Sequence, residues 1–542
     1  MSKLKRPSNS PLTTADWLVY RPYKLFQAYD NYYLKLAGEV FEYFNDPNNH
    51  FRGIWDRDAL KKLSIVLTCH FEDFVNEIGL WRALREKYRE LYGYALPFYD
   101  LENYDPEYLN PQDFAYLIWH HLEKTTEKII SPYAESIALA ADFCYVFFEE
   151  HIDEAPVTDF YEQFLDIDED IPFFELKKRL KWMALQNYLL GPAYIKDLRD
   201  RLEEEVEKDS FNKQWQGDTG ILAYTLEDDY LFEKTASWGA MDTPQWLAAL
   251  ARCDDRLRPA IRTLNQKISG IFVYEGSDDE YYHYKLVNTN RVFKVRRDSI
   301  DLNTKKMKAG SEVGAFSIVN WCGTWWLSGA YTAWNVNAAQ LERMRYKIAN
   351  APFYGWTEEQ QQHLRSMADD LEQGFFEYFG DRLVLFENGK DAEIAFQAQQ
   401  KWWNDKKSLD KQPSKSFDKF KKMQDKDDNK PSPLYDDKGQ IAACYIPGGG
   451  VITSTAVPLI IELLQANTLS KEEARELFDL AFLKCEPYLI NLLKTRYAFK
   501  NLRHPLVSDP DFMDKHLPFF LRYYSPEAFK PVKPFISLVL EG

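Results

Sequence analysis

The sequence has little of what would mark a secreted, redox-active or membrane-embedded protein. It contains six cysteines in 542 residues, scattered singly, and no C-x-x-C pair. That spacing argues against a disulfide framework, a zinc ribbon and a thioredoxin-like site. No run approaches the roughly 18 consecutive apolar residues of a transmembrane helix. The first fifteen residues also lack the apolar core of a secretory signal, so we expect a cytoplasmic protein with no membrane partner.

The familiar sequence motifs of catalysis are also missing. There is no G-x-S-x-G, no H-E-x-x-H and no G-K-[ST]. The common sequence signatures of serine hydrolases, zinc proteases and P-loop nucleotide-binding proteins are therefore absent. The run Pro447–Gly450 precedes an expected helix, where backbone N–H groups can hold an anion, but a tight or mobile turn is the simpler explanation. We therefore predict no cofactor, and the sequence favours a protein that is not an enzyme. The missing motifs do not decide this question, because a catalytic triad is recognised by its geometry rather than by its sequence.

Charge is distributed unevenly along the chain. Asp and Glu outnumber Lys and Arg by 84 to 67, which gives a net charge of −17. Residues 129–176 hold thirteen acids and no Lys or Arg, so the remainder carries −4. Residues 285–308 show the opposite bias, with eight bases and two acids. A net negative charge argues against generic nucleic-acid binding because it repels phosphate groups. This argument does not apply to the basic segment 285–308, which could still contact phosphates.

Hydrophobic periodicity predicts a mainly α, multidomain protein with a small β module in the middle. The first 265 residues keep helical spacing, with Asp56 as a helix cap and Gly93 as a helix stop. From Ile268 the period changes to that of five short strands separated by turn residues, which predicts an SH3-like β-barrel. The C-terminal region contains patterns of both helices and strands, which predicts an α+β structure.

Changes of composition and period divide the chain into six expected segments. They are a disordered basic tail (1–15), a helical domain (16–265), a small five-stranded β-barrel (268–335), a helical or α+β segment (336–400), a Lys- and Asp-rich loop or linker (401–432) and a mainly helical C-terminal segment (433–542). The loop is expected because it is strongly charged and poor in apolar residues.

Imidazoles and carboxylates in the N-terminal helices form the first candidate site. Its members are His70, Asp73, Glu77, His121 and His151. The first three share one helical stripe, and the other two histidines lie on separate apolar helices. If those helices converge, the groups suit Zn, Fe or Mn and would make a metal-dependent enzyme. The spacing fits no established metal motif, however, and a lone His on an apolar helix face is usually a core residue.

Basic and aromatic residues interleaved in the β module form the second candidate site. They are Tyr281, Tyr282, Tyr284, Lys285, Arg291, Phe293, Lys294, Arg296 and Arg297. Small barrels bind single-stranded nucleic acid through stacked bases and positive charge, and they bind peptides through aromatic grooves. Aromatic residues at alternate strand positions equally suit a barrel core with a solvated outer surface.

Several N-terminal segments resemble a known family. The stretch Phe71–His121 contains FEDFVNEIGLWRALREKYRELYGYALPFYD and the beginning of NPQDFAYLIWHHL, and the segments Asp16–Tyr23 and Tyr32–Ala37 also fit. Together they resemble a family of uncharacterised bacterial proteins, domain of unknown function 3843, found chiefly in Bacteroidota. The resemblance covers mainly residues 16–160. It implies a bacterial cytosolic protein and supplies no activity, cofactor or catalytic residue.

These observations favour a binding or adaptor protein that uses the β module to recognise a protein or peptide. Two alternatives stay open. One is a metal-dependent enzyme with its site in the N-terminal helices, and the other is a module that binds single-stranded nucleic acid through its basic and aromatic residues.

Overall fold

The chain folds into two compact units in which helices predominate. The computed structural model describes residues 12–48, 55–126, 128–208, 218–289, 291–303, 307–347, 352–408, 438–531 and 533. The first unit comprises residues 1–267, 319–330 and 505–527, and the second comprises residues 268–318, 331–504 and 528–542. The expected mainly helical fold is confirmed. Most of the expected basic tail and most of the expected loop lie outside the described residues.

The first unit consists of helices up to residue 267. In chain order they are α1 (Thr14–Leu18), α2 (Asp30–Asn45), α3 (Arg57–Val75), α4 (Leu80–Tyr92), α5 (Pro111–Thr126), α6 (Glu135–Glu149), α7 (Phe160–Leu165), α8 (Phe173–Lys181), α9 (Gly191–Glu207), α10 (Thr219–Phe232), α11 (Thr243–Leu250) and α12 (Arg258–Arg262). A single π-helical turn, Trp182–Gln186, follows α8. Across the described part of the chain, no helix combines the length and apolar character needed to cross a bilayer.

The helix boundaries that local signals predicted are present. The side chain of Asp56 accepts a hydrogen bond from the backbone N–H of Ala59 at 2.8 Å, which caps α3. At the end of α4, Gly93 adopts a left-handed φ of 81°, the conformation that commonly stops a helix. Both expectations are confirmed. Helix caps can be predicted from the sequence because they depend on residues that are neighbours along the chain.

A single buried carboxylate joins α3 to α4. Asp73, in the last turn of α3, accepts hydrogen bonds from the backbone N–H groups of Gly79 and Trp81 at 2.7 and 2.8 Å. These donors would otherwise be unpaired at the start of α4, and the negative charge complements the helix dipole. The turn between the helices passes through a left-handed φ at Glu77 (48°) and again at Gly79 (94°). Asp73 also accepts a hydrogen bond from the hydroxyl of Tyr188 at 2.7 Å.

A buried arginine anchors the segment between α1 and α2. The guanidinium of Arg21 lies 2.6 Å from the Glu72 carboxylate and 3.9 Å from the centre of the Trp17 ring. It also donates a hydrogen bond to the hydroxyl of Tyr161 at 3.0 Å. Burial raises the pKa of Glu72, and the guanidinium opposes that rise. Because both charges are buried, removal of either partner would leave the other uncompensated.

A five-stranded antiparallel sheet begins at residue 268. Its strands are β1 (Ile268–Ser277), β2 (Tyr281–Leu286), β3 (Val292–Arg296), β4 (Glu312–Trp321) and β5 (Thr324–Asn335), in the spatial order β1-β2-β3-β5-β4. Phe272 of β1 lies opposite Leu286 of β2 on one side and Gly314 of β4 on the other. The five expected strands are therefore confirmed, while their classification as an SH3-like barrel stays a prediction.

The part of the second unit that follows the five-stranded sheet is α+β. It contains α13 (Ala338–Lys347), α14 (Glu358–Phe379), β6 (Leu383–Phe386), α15 (Gly389–Ser408), β7 (Ile441–Ile446), β8 (Gly450–Ser454), α16 (Ala456–Gln465), α17 (Lys471–Asp479) and α18 (Pro487–Lys494). The three strands form a sheet in the order β6-β7-β8. The last helix, α19 (Phe512–Tyr524), belongs to the first unit. Helix α15 extends through residues 401–408, where the composition predicted the start of a loop, and residues 409–437 lie outside the described part.

The glycine run after β7 forms a hairpin turn. The N–H of Gly449 donates to the carbonyl of Ile446 at 2.9 Å, and β8 begins at the next residue. Gly448 and Gly450 both have a left-handed φ, at 70° and 84°. The tight-turn explanation is therefore confirmed, and the glycines do not precede a helix N-terminus that could hold an anion, because a strand follows them.

Loss of the Asp73 carboxylate should destabilise the first unit. In Asp73→Ala, buried N–H groups at the start of α4 lose their acceptor, and we expect the free energy of unfolding to fall by about 2–4 kcal/mol. Asp73→Asn keeps one acceptor oxygen and should lose less. Urea unfolding followed by tryptophan fluorescence measures the change, with exposed Asp142→Ala on α6 as the control. Equal stability of Asp73→Ala and the control would contradict the capping role.

Candidate functional site

The aromatic residues proposed as a stacking surface lie mostly inside the β module. Tyr282, Tyr284 and Phe293 are each at most 1% exposed, and the Tyr284 ring packs 4.8 Å from that of Phe316. Of the four aromatic candidates, only Tyr281 is partly exposed. Successive residues of a strand point to opposite faces, so the three other rings fill the interior. These residues therefore do not provide a platform for stacked bases.

The basic candidates lie on the outer face of the module, and most are engaged within the second unit. Their partners are the carboxylate of Glu275 for Lys285 (2.5 Å), the carboxylate of Asp298 for Arg296 (3.0 Å), the carbonyl of Asp278 for Arg297 (2.9 Å) and the carbonyls of Tyr354 and Trp356 for Arg291 (3.0 and 2.9 Å). Lys294 is exposed. Much of the positive charge is thus compensated locally, which favours a solvated surface over a nucleic-acid interface.

His70 and Asp73 belong to the buried core of the first unit. The ring of His70 packs edge-on against Trp81 and Phe114, at 4.8 and 5.2 Å between centroids. Burial lowers the pKa of His70 to about 3, so the imidazole is neutral at pH 7. Asp73 caps α4, as described above. Packing and capping therefore account for both residues.

The other three members of the proposed metal set have separate surroundings. Glu77 forms the turn after α3, Nε2 of His121 lies 3.3 Å from the carbonyl of Ala59, and Nδ1 of His151 donates to the carbonyl of Phe147 at 2.7 Å. Within the residues that the structure describes, no three His, Cys, Asp or Glu side chains form a group that could hold a metal ion. The structure does not assemble the set, so its geometry does not support a metal enzyme.

A cavity of about 500 Å³ lies between α3, α5 and α9 of the first unit. Its apolar and aromatic lining includes Tyr20, Val66, Leu117, Tyr188, Leu189 and Trp238, and its polar lining includes Lys62, His120, His121, Lys124, Lys196 and Arg199. We refer to this cavity as the α5–α9 pocket. A pocket of this size with a few convergent polar groups is typical of a small-molecule site.

His120 connects the pocket to the aromatic core. Its ring lies 3.9 Å from that of Trp238, and Nδ1 lies 2.9 Å from the hydroxyl of Tyr523. The indole N–H of Trp238 donates to the carbonyl of Leu189 at 2.9 Å. Burial lowers the pKa of His120 well below its usual range, so this imidazole is also neutral at pH 7. These contacts hold the rings of His120 and Trp238 in place at the pocket wall.

Lys124 supplies an amine to this wall from the last turn of α5. Its Nζ lies 4.2 Å from the centre of the Tyr523 ring and 5.9 Å from that of Tyr524. No carboxylate among the described residues forms an ion pair with it. Burial lowers the pKa of Lys124 to about 8, with Glu123 opposing the shift and Lys196 adding to it. The pocket therefore contains an amine that is partly neutral close to pH 7.

The pocket also carries charges of both signs around Lys124. They are Asp56, Asp58, Lys62, Lys196, Arg199, Asp200 and Glu203. On the α3 side, Lys62 pairs with Asp58 at 2.7 Å, and the Asp56 carboxylate caps the helix. On the α9 side, Lys196 and Arg199 lie about one helical turn apart. The acids of α3 are thus engaged, and α9 adds Asp200 and Glu203 to its two cations. Of the cations on α9, Lys196 lies close enough to Lys124 to lower its pKa.

The sequence pattern singled out His121 on α5 but neither His120 nor Lys124. A usable signal was present, because His120 and Lys124 are four residues apart and share a helix face. What the pattern could not show is that α9 and Trp238 enclose that face.

Buried His121 should make the stability of the protein depend on pH. Burial lowers its pKa to about 4, whereas an unfolded chain has a histidine pKa of about 6.5. Between these values the unfolded chain binds the additional proton, so the free energy of unfolding rises with pH. We expect His121→Gln to reduce the stability lost between about pH 7 and about pH 4 by up to about 3 kcal/mol.

Urea unfolding across that pH range measures this effect. Exposed His363→Gln on α14 is the matched control and should retain the wild-type slope. The same slope in both variants would show that His121 does not contribute.

Comparison with known proteins identifies a family. No curated protein and no solved structure matches the chain. The family described as "Protein of unknown function (DUF3843)" matches residues 12–299, more than half of the 542 residues. The matched region contains every residue of the α5–α9 pocket. The expected family resemblance is thereby confirmed, and the chain belongs to the DUF3843 family of proteins of unknown function.

Proposed function

We propose that this protein is a binding protein and that its α5–α9 pocket holds a small, partly apolar molecule with an acidic group. The observation that carries the proposal is Lys124, an amine that lines an apolar pocket and rests on aromatic rings. Even partial burial without a carboxylate partner is costly for an ammonium group. An acidic ligand would supply the missing charge, while its apolar part would contact the surrounding aromatic and aliphatic side chains.

The β module is less well suited to this role. Three of its four candidate rings are buried, and most of its cations have partners within the same unit. We infer that the module is a small SH3-like barrel, because β1 pairs with both β2 and β4 and because aromatic side chains fill the interior. A recognition surface on it would have to rely on residues such as Tyr281 and Lys294.

We also infer that the protein is cytosolic and comes from a bacterium of the Bacteroidota, as the family resemblance implies. All six cysteines are free, and four of them are buried. Free thiols of this kind suit a reducing compartment.

Binding of an anionic apolar dye tests the proposed pocket. We expect 8-anilinonaphthalene-1-sulfonate to bind the full-length protein and Lys124→Met to raise its dissociation constant about tenfold, because a charge-assisted hydrogen bond contributes about 1.5–3 kcal/mol. A second variant, Ala193→Phe, should weaken binding by filling the pocket. Fluorescence titration measures both effects.

The matched control is Lys35→Met. Lys35 is an exposed lysine on α2, paired with Glu39 and remote from the pocket lining, and its loss should leave the dissociation constant unchanged. Failure of the wild type to bind the dye, or equal binding by Lys124→Met and Lys35→Met, would count against the proposal.

A further inference from the structure

We propose that Lys124 is a nucleophile that forms an imine with a small aldehyde or ketone bearing an acidic group. The inference rests on the proposed function of the α5–α9 pocket and adds a reaction to it. Two features carry it: the position of the amine in the pocket, against the ring of Tyr523, and the lack of an ion-pair partner among the described residues.

The surroundings of Lys124 favour the reactive form of its amine. An ammonium group has no lone pair and does not attack carbonyl carbon, so the neutral fraction sets the rate. With a pKa of about 8, about one tenth of the Lys124 side chains are neutral at pH 7, roughly 200-fold more than for an ordinary lysine. The rings of Tyr523 and Tyr524 also restrict the positions that the amine can occupy.

The charges of the pocket define the class of carbonyl compound. The α9 part of the lining carries Lys196 and Arg199 together with Asp200 and Glu203, so it has no net charge. Lys196 is the cation whose charge acts on Lys124, and a carboxylate or phosphate next to the carbonyl carbon would be attracted to Lys196. Leu117 and Trp238 line the cavity as well, and such side chains limit the water that would hydrolyse an imine. A short 2-oxo acid has the required combination of a carbonyl carbon and an acidic group.

The reaction needs no redox partner. The Lys124 nitrogen attacks the carbonyl carbon, the carbon–nitrogen bond forms, and a proton passes from nitrogen to the carbonyl oxygen to give a carbinolamine. The hydroxyl group then leaves with a proton as water, and the nitrogen lone pair completes the carbon–nitrogen double bond.

Reductive trapping tests the inference. The full-length protein is incubated with glyoxylate, an aldehyde that carries a carboxylate, and the imine is reduced with cyanoborohydride. Peptide mapping by mass spectrometry then gives the modified fraction of each lysine. We expect Lys124 to react at least about tenfold faster than exposed Lys35 at pH 7, and its rate to rise with pH around a midpoint near 8.

Two variants separate this inference from the proposed function. Lys124→Arg keeps the positive charge but cannot form an imine. We expect this variant to bind the dye like the wild type, while the peptide that contains position 124 is no longer modified by glyoxylate and cyanoborohydride. If wild-type Lys124 is labelled no faster than Lys35, or only with a midpoint near that of an ordinary lysine, the imine inference is wrong. If Lys124→Met still weakens dye binding in that case, the proposed binding function of the pocket is retained although the imine inference is wrong.

Discussion

The buried carboxylate of Asp73 is the contact on which the arrangement around the pocket depends. It accepts hydrogen bonds from the first N–H groups of α4 and from the hydroxyl of Tyr188, which lines the α5–α9 pocket. Burial raises the pKa of Asp73, and hydrogen bonds from the N–H groups of Gly79, Leu80 and Trp81 and from the Tyr188 hydroxyl oppose the rise. One charge thus fixes the angle between α3 and α4 and also holds one side chain of the pocket.

The buried cations Lys267 and Arg21 differ from the partly buried Lys124 in their partners. Lys267 lies 3.4 Å from the Asp228 carboxylate, and Arg21 lies 2.6 Å from that of Glu72. These pairs compensate the cost of removing a cation from water. Lys124 has aromatic rings in place of a carboxylate, and its pKa is lowered rather than raised. The fold therefore places the pKa of the Lys124 amine close to neutral pH, so that both its charged and its neutral form are populated.

Local sequence signals predicted the helices and strands well because they depend on short-range interactions. The cap at Asp56 and the stop at Gly93 involve sequence neighbours, and the alternation in β2 is visible in the sequence. The five residues proposed as a metal site are not brought together, because such a site depends on contacts between residues that are distant in sequence. Its residues share helix faces, but packing assigns His70 to an aromatic cluster and His121 to a backbone carbonyl.

The sequence by itself determined the family, the mainly helical class, the five central strands and the clustering of charge. These properties follow from composition, from hydrophobic periods and from residues a few positions apart. Only the tertiary structure decided which polar groups share a cavity. Lys124 and Trp238 are more than a hundred residues apart, and the pKa of the amine depends on how completely the packed helices exclude water from it. No local pattern contains that information.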